Sequence, residues 1–280
     1  MEELNNLKYI KLFSILLLIY AFIGGFLFDV PALPILNESI RVLYFHVPMW
    51  FTMIFLLLLS SINSFYFISR KKIIYDTKSY TYTSVAVFFG FLGIASGMIW
   101  AKFTWGSFWT NDPKLNGSAI TLLIYLSYFL LRSSISDEIK KAKISSVYNI
   151  FAFAMLIPLI FILPRMTDSL HPGSGGNPGF NVYDMNSQLR IVFYPSVLGF
   201  ILLGIWISKL KLVLNVLKMI TKIVIYFLSF FLNIQVEMAD AFRSDGKIYV
   251  VVLVALIILV GIFFYLFRIE GKIKDINKNK

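Results

Sequence analysis

Two histidines and a pair of tryptophans are the side chains whose types and spacing best suit ligand chemistry. His46 and His171 are the only histidines among the 280 residues, and cysteine is absent. Trp105 and Trp109 stand four residues apart and flank Gly106. If that stretch is helical, both indoles share one face and form a flat apolar shelf. The glycine would let a flat ligand approach the backbone closely.

A flat shelf with a histidine on either side suits heme. Imidazole is a common axial ligand of heme iron, and two imidazoles complete an octahedral iron. A bare zinc ion fits less well, because two histidines without cysteines or nearby carboxylates are too few for a closed site. No serine-containing elbow motif lies near either histidine. From the residues alone, the alternative stays open that both histidines are hydrogen-bonded polar residues at helix ends.

The composition places these residues in a membrane protein. Hydrophobic residues make up 58% of the chain, charged residues 15%, and the mean hydropathy is +0.77. A soluble chain carries about 25% charged residues. The net charge of +11 is therefore attributed to basic loops on the cytoplasmic side of a membrane rather than to binding of nucleic acid.

Apolar segments of about 20 residues predict an all-α integral membrane protein. They lie near 9–29, 47–68, 80–101, 117–135, 147–163, 191–208, 219–235 and 248–268. The first is interpreted as a retained anchor, since its apolar run is long for a signal peptide and no A-x-A site closes it. The seventh is either a crossing or an amphipathic helix on the inner leaflet.

Basic residues set the expected orientation. With the N-terminus in the cytoplasm and eight alternating spans, most of the 26 Lys and Arg fall on the inner side, including the Lys-rich C-terminal tail. Both termini are then cytoplasmic. His46, His171 and the tryptophan-rich loop 102–116 share the outer side. The outer cations nearest to them are Arg41, Lys102, Lys114, Arg165 and Arg190. In the inner loops, Asp76 and the pair Asp137 and Glu138 are expected to be solvated surface.

Two motifs carry a resemblance to a known family. Residues 105–115 read WGSFWTNDPKL, which is similar to the WGxxWxxDPRLT signature of heme-handling proteins in cytochrome c maturation. Residues 44–48 read YFHVP and resemble the Y-x-H-V-P element of the heme exporter protein C (CcmC) family. The second histidine, after the fifth span, also falls where that family has one. The resemblance covers roughly residues 1–210, a six-helix CcmC-like bundle.

The chain departs from the family pattern at a few positions. Asn111 stands where a further tryptophan is common, Lys114 where arginine is usual, and Asn116 where threonine is usual. Lys114 keeps the charge but lacks the planar fork that could grip a heme propionate through two hydrogen bonds. The loop 172–178 is unusually rich in glycine. These departures put the fine positioning of a ligand in doubt.

The resemblance implies a site, a cofactor and partners. Heme b, bound transiently and without a covalent bond, would lie at the outer face of the bacterial inner membrane between His46 and His171 as axial ligands. The implied platform is Trp105, Gly106, Trp109, Asp112 and Pro113, with Lys102, Lys114 and Arg165 as candidate propionate contacts. The heme would pass to a CcmE-like chaperone beside a CcmA/CcmB-like ABC transporter complex. The chain would bind and hand over heme and would not act as an enzyme.

The C-terminal region carries a second, shorter resemblance. Residues 236–280 contain one span and a Lys-rich end and look like CcmD, the small one-span partner of CcmC. Residues 211–235 would then be a linker with a signal-like seventh span, and residues 1–210 the heme-handling domain. The alternative is an unrelated C-terminal hairpin.

Two other functions remain alternatives. A membrane cytochrome for electron transfer could hold a permanent heme between the two histidines, although such proteins usually place their ligands inside pairs of spans. A transporter without a cofactor would leave the tryptophan motif unexplained. The related synthetase of the other maturation system carries the same motif with additional transmembrane histidines, so a chain with two histidines favours the CcmC type.

Overall fold

The protein is a bundle of long helices. A computed structural model describes residues 2–33, 35–171, 185–214, 253–266 and 268. Within those residues there is no strand, and the helices are α1 Glu2–Leu27, α2 Leu43–Arg70, α3 Ile73–Trp105, α4 Pro113–Ser133, α5 Glu138–Ile157, α6 Leu163–Met166, α7 Ser187–Leu214 and α8 Leu253–Leu266. A 3₁₀ helix, Asn37–Val42, leads into α2, and a π-helical turn, Pro158–Ile162, joins α5 to α6.

Six segments are long and apolar enough to cross a membrane, with α5, the π turn and α6 forming one of them. The predicted all-α membrane protein with a six-helix bundle is therefore confirmed. The predicted seventh span, 219–235, lies outside the described residues. The predicted eighth span contains α8, an apolar helix shorter than the other six.

Helices α2 and α3 lie at the centre of the bundle. They contact each other extensively, α2 also contacts α5 and α7, and α1 contacts α7. The buried core includes Met49 and Met53 of α2 and Phe89 of α3. On α1, by contrast, Leu16 and Ile19 are exposed, as expected of a helix that faces lipid on one side.

Helix α2 begins earlier than the sequence predicts. The apolar segment 47–68 predicts a start near Val47, which is wrong: α2 begins at Leu43, and Pro48 lies inside it. Proline has no N–H to donate to the carbonyl four residues back, which here belongs to Tyr44. The Ser196 hydroxyl of α7 donates to that carbonyl instead. The proline is thereby tolerated, and His46 lies within α2 rather than in a loop.

Asp76 at the start of α3 differs from the solvated residue that the sequence predicts. Its side chain is buried and accepts two hydrogen bonds from Arg132 of α4, at 2.6 and 2.8 Å. The rings of Tyr80 and Tyr128 lie 4.7 and 5.9 Å from the guanidinium carbon. The charged pair is thus satisfied inside the bundle, and it fixes the N-terminal end of α3 to the C-terminal end of α4.

Helix α8 packs antiparallel against α3. The Tyr265 ring stacks on Phe88 at 5.0 Å, and Gly261 lies beside Leu92. Because residue numbers rise along α8 as they fall along α3, the C-terminal end of α8 is on the same side of the bundle as the basic turn 70–72. A stripe of buried residues faces this contact: Val254, Ala255, Ile258, Ile262 and Tyr265.

Candidate functional site

The predicted site residues converge at one end of the bundle, opposite the turn 70–72. His46 lies at the end of the first turn of α2, and His171 follows α6 in the chain. His46 is close enough to His171 and to Lys114 for their charges to interact with its own. The C-terminal end of α3, at Trp105, and the N-terminal end of α4, at Pro113, border this region.

His171 is fixed by Asp112. Its Nδ1 atom lies 2.9 Å from the Asp112 Oδ1 atom, and the edge of its ring faces Trp105 with 5.0 Å between ring centroids. The other carboxylate oxygen accepts hydrogen bonds from the Ser169 hydroxyl and the Leu170 amide, both at 2.7 Å. The loop after α6 is therefore tied to the start of α4 through one carboxylate.

Asp112 also begins α4. It is the N-cap residue, and its Oδ1 atom accepts hydrogen bonds from two amides of the first turn at 2.9 and 3.2 Å. Pro113 takes the first helical position, where a missing N–H costs nothing. Burial raises the pKa of the Asp112 carboxyl, but the hydrogen bonds from His171, Ser169 and the Leu170 amide outweigh that effect and hold the pKa below its ordinary value. Asp112 is therefore an anion at neutral pH.

His46 is less exposed to solvent than His171. It is buried, and its Nδ1 atom lies 2.9 Å from the Ser96 hydroxyl of α3. Trp100 and Trp50 face it edge-on, at centroid distances of 5.8 and 6.5 Å. On the α3 side, a β-carbon on Gly97 would come within 2.7 Å of the His46 Cε1 atom. Glycine at 97 is what leaves room for the imidazole.

Both histidines therefore use Nδ1 for a contact within the protein. The side-chain hydrogen bonds of both rings use Nδ1, and the His46 ring has a further hydrogen bond to the backbone of Gly93. A histidine with one ring nitrogen held by a neighbour and the other available is the usual arrangement of a metal ligand. Nearby polar atoms of Trp100, Thr104 and Thr110 are also buried without a partner among the described residues. This donor set fits a heme group that has both an iron and polar edges.

The tryptophan shelf differs from the helical one that the sequence suggests. Helix α3 ends at Trp105, and Gly106 takes the left-handed conformation with φ +80° as its C-cap. Trp109 therefore does not share a helix face with Trp105. Its ring is 41% exposed, and its Nε1 atom donates to the Asn116 Oδ1 atom at 3.2 Å. A β-carbon on Gly106 would meet nothing within 4 Å, so the turn rather than space accounts for glycine here.

The predicted cations lie around the site in different ways. The Lys102 ammonium donates to the Gly106 carbonyl at 3.0 Å, and Arg165 donates to the Phe161 carbonyl at 2.8 Å. Arg41 is buried and donates hydrogen bonds to Glu38 and to the Gly25 and Phe28 carbonyls, so it is a structural residue. The assignment of Lys102, Lys114 and Arg165 as propionate contacts stays a prediction.

Several residues of the site are missed by sequence reasoning. Ser96 lies 50 positions from His46, and no local pattern links the two. Trp50 and Trp100 suit the interpretation as ordinary interfacial tryptophans. Asp112 is predicted only as part of the platform, although an Asp-Pro pair before an apolar segment is a recognised helix start. That signal would have predicted its capping role.

The fold and the site define a polytopic helical membrane protein with two imidazoles at one end of its bundle. The family model described as heme exporter protein C matches residues 4–225. Since the match covers most of the chain, the chain belongs to the heme exporter protein C family. A second family model, described as CcmD family protein, matches residues 219–277.

Individual relatives are distant. The chain is 26% identical to heme exporter protein C of Haemophilus influenzae over 138 residues, which is 48% of this chain and 54% of that protein. It is 22% identical to heme exporter protein C of Paracoccus denitrificans, over 60% of this chain and 69% of the relative. It is 34% identical to cytochrome c biogenesis protein CcsA of Heterosigma akashiwo over 84 residues, or 29% of this chain and 26% of that protein. The chain spans about half the length of the first relative.

Proposed function

We propose that this protein binds heme at the outer face of a bacterial inner membrane and delivers it to a heme chaperone for the biogenesis of c-type cytochromes. The observation that carries the proposal is the pair of histidines at one end of the bundle, each with its Nδ1 atom held by a neighbouring side chain. Family membership supports heme handling, and the match to CcsA supports a place in cytochrome c biogenesis.

The residues of the chain would act by binding and orienting. Heme, when bound, would supply an iron that two imidazole nitrogens can coordinate, with His46 and His171 as the axial ligands. Trp105, held edge-on against His171, would border the ring, and the exposed Trp109 would offer an aromatic surface towards the outer compartment. We assign no bond-making step to this chain and treat the heme as non-covalently bound cargo.

The orientation belongs to the same proposal. The turn 70–72 and the C-terminal end of α8 lie on the same side of the bundle. The turn consists of basic residues, and the sequence that follows α8 is rich in lysine. The positive-inside rule favours the cytoplasm for that side. Both chain termini would then be cytoplasmic, and the histidines would face the outer, periplasmic side.

The C-terminal region would supply a CcmD-like segment in cis. The CcmD family match and the contact of α8 with α3 support this part of the proposal. Residues 211–235 would link it to the heme-handling domain, residues 1–210, and residues 236–280 would form the CcmD-like segment. The proposed partners are a CcmE-like chaperone and a CcmA/CcmB-like ABC complex.

An absorption spectrum tests the binding step. The protein is purified in detergent beside His46→Ala and His171→Ala, with Asp168→Asn, an exposed change in the same loop as His171, as the control. Wild type and control should show a six-coordinate, low-spin heme, and each histidine variant should lose heme or become high-spin. Equal heme binding by all four proteins would remove the axial assignment. A folded wild type that binds no heme would contradict the proposed function.

One observation favours a second function. His46 lies inside α2 and is buried. Ligands within the spans are typical of membrane cytochromes that transfer electrons. Heme transfer separates the two functions: the loaded protein is mixed with a soluble heme-binding acceptor, apomyoglobin. A heme-handling protein should yield its heme within the assay, and an electron-transfer cytochrome should keep it.

A further inference from the structure

The two histidines are held by partners of different chemistry. His171 faces a buried carboxylate, that of Asp112, at 2.9 Å, and His46 faces the neutral hydroxyl of Ser96 at the same distance. The nature of the group that binds the second ring nitrogen changes the basicity of a ligating imidazole. The two Nε2 atoms are therefore unequal.

The hydrogen bonds around Ser96 favour one tautomer of His46. The Ser96 hydroxyl has one proton, and it lies 2.8 Å from the Leu92 carbonyl and 3.1 Å from the Gly93 carbonyl. Carbonyl oxygens only accept hydrogen bonds, and a serine inside a helix commonly donates to a carbonyl of the preceding turn, so we assign the serine proton there. The Ser96 oxygen then accepts from an Nδ1–H of His46, and the Nε2 atom carries the lone pair.

The pattern at His171 leads to the same tautomer with a stronger partner. Asp112 accepts five hydrogen bonds, from the His171 ring, one hydroxyl and three backbone amides. An ionised carboxylate has no proton to donate, so the His171 Nδ1 atom carries one. A charge-assisted hydrogen bond is roughly twice as strong as a neutral one, and it transfers more electron density to the ring.

We propose that the two histidines would bind heme iron with unequal strength. Asp112 makes His171 the stronger electron donor to the iron, and Ser96 leaves His46 the weaker one. Asp112 and Ser96 are positioning residues that act through the histidines. This inference rests on the proposed heme-binding function and deepens it. The bond to His46 is then the first to open when heme leaves, while His171 retains the group.

The apoprotein permits a test without heme. With only two histidines in the chain, selective ¹⁵N-histidine labelling gives NMR signals from two imidazoles alone. Both should show the Nδ1–H tautomer. Ser96→Ala should shift the signals of His46 only, and Asp112→Asn those of His171 only. Asparagine is as good an N-cap as aspartate, so α4 keeps its start. A Nε2–H tautomer at either histidine would overturn the proposal.

The heme-loaded protein tests the inequality itself. Carbon monoxide replaces one axial ligand of ferrous heme, and photolysis leaves a five-coordinate heme whose iron–histidine stretching frequency is measured by resonance Raman spectroscopy. The retained ligand should be His171. Asp112→Asn should therefore lower that frequency, and Ser96→Ala should leave it unchanged. A frequency that responds to Ser96→Ala instead would reverse the assignment and overturn the proposal.

Affinity supplies a further comparison and a control. Loss of an outer partner of a metal ligand typically weakens binding by roughly ten- to a hundredfold. Asp112→Asn should weaken ferric heme binding by that factor, Ser96→Ala by less, and the exposed Asp168→Asn not at all. Equal losses for the first two variants would overturn the inequality and leave the proposed function standing. No heme on the wild type would overturn the proposed function, while the NMR result would still stand for the apoprotein.

Discussion

Two buried carboxylates, one at each end of the bundle, serve opposite purposes. Asp76 is 4% exposed and Asp112 is 2% exposed, and both oxygens of each accept hydrogen bonds. At Asp76 those bonds come from the fork of Arg132, beneath two tyrosine rings. At Asp112 they come from backbone amides, a hydroxyl and one nitrogen of His171.

The two carboxylates differ in whether their basic partner still has a nitrogen lone pair that could bind a metal. A guanidinium has donors only and cannot lose its proton, so it cannot bind a metal. An imidazole that donates through Nδ1 still has a lone pair on Nε2. The same arrangement, a buried carboxylate that holds a basic side chain, thus gives a structural contact at the Asp76 end and, in the proposed function, a ligand position at the Asp112 end.

Breaking the structural contact should have the largest effect on stability. Arg132→Leu leaves the Asp76 carboxylate buried without its partner, and removal of one member of a buried ion pair typically costs about 3 kcal/mol or more. Thermal unfolding of the apoprotein in detergent measures the loss. Arg70→Leu, an exposed arginine on the same side, is the control. Heme content per folded molecule should be unchanged, and a selective loss of heme binding would contradict the structural role.

A larger residue at position 97 should lower the free energy of unfolding less than Arg132→Leu does, but should weaken heme binding more. In Gly97→Ala the new methyl group meets the His46 ring at 2.7 Å, and overpacking of this kind typically costs about 1–3 kcal/mol. The imidazole must shift, so heme binding should fall more steeply than stability.

Gly90→Ala is the matched control for that change. Gly90 lies on the same helix, and its β-carbon would meet Met53 and Leu122 at 2.6 Å, far ends of flexible side chains that do not include a histidine. Stability should fall by a similar amount with heme content per folded molecule preserved. If both variants lose heme equally, the close approach of Gly97 to His46 has no special role.

Asp112 can be separated into its two tasks. Asp112→Ala removes the N-cap of α4 and the partner of His171, and loss of a cap costs about 1 kcal/mol. Asp112→Asn keeps a capping oxygen and removes the charge. We expect the alanine variant to lose both stability and heme binding, and the asparagine variant to lose heme binding with a smaller loss of stability. Circular dichroism melts beside heme titrations measure the two quantities, and equal melting temperatures for both variants would argue against the capping role.

Much of this architecture can be predicted from the sequence, because it depends on hydropathy and on local motifs. Six spans follow from apolar length, and the convergence of His46, His171 and Trp105 follows from their shared side. The start of α2 could not be predicted, since Pro48 is tolerated through Ser196, which is 148 residues further along the chain. The pairing of Asp76 with Arg132 and of His46 with Ser96 likewise depends on contacts between helices that no local pattern records.

Changes at Trp109 should have the smallest effect on stability. They test whether its aromatic ring contributes to heme binding. Trp109 is 41% exposed, and its bond to Asn116 is at the surface. Trp109→Phe should therefore change the free energy of unfolding by no more than about 0.5 kcal/mol, and Trp109→Ala should lower it by about 1 kcal/mol. Heme binding should separate them. Phenylalanine keeps an aromatic face for the ring of the heme and should retain most of the affinity, whereas alanine should lose it several-fold. If alanine binds heme as well as tryptophan does, Trp109 is a surface residue, and the aromatic border of the site is limited to Trp105, Trp100 and Trp50 around the two histidines.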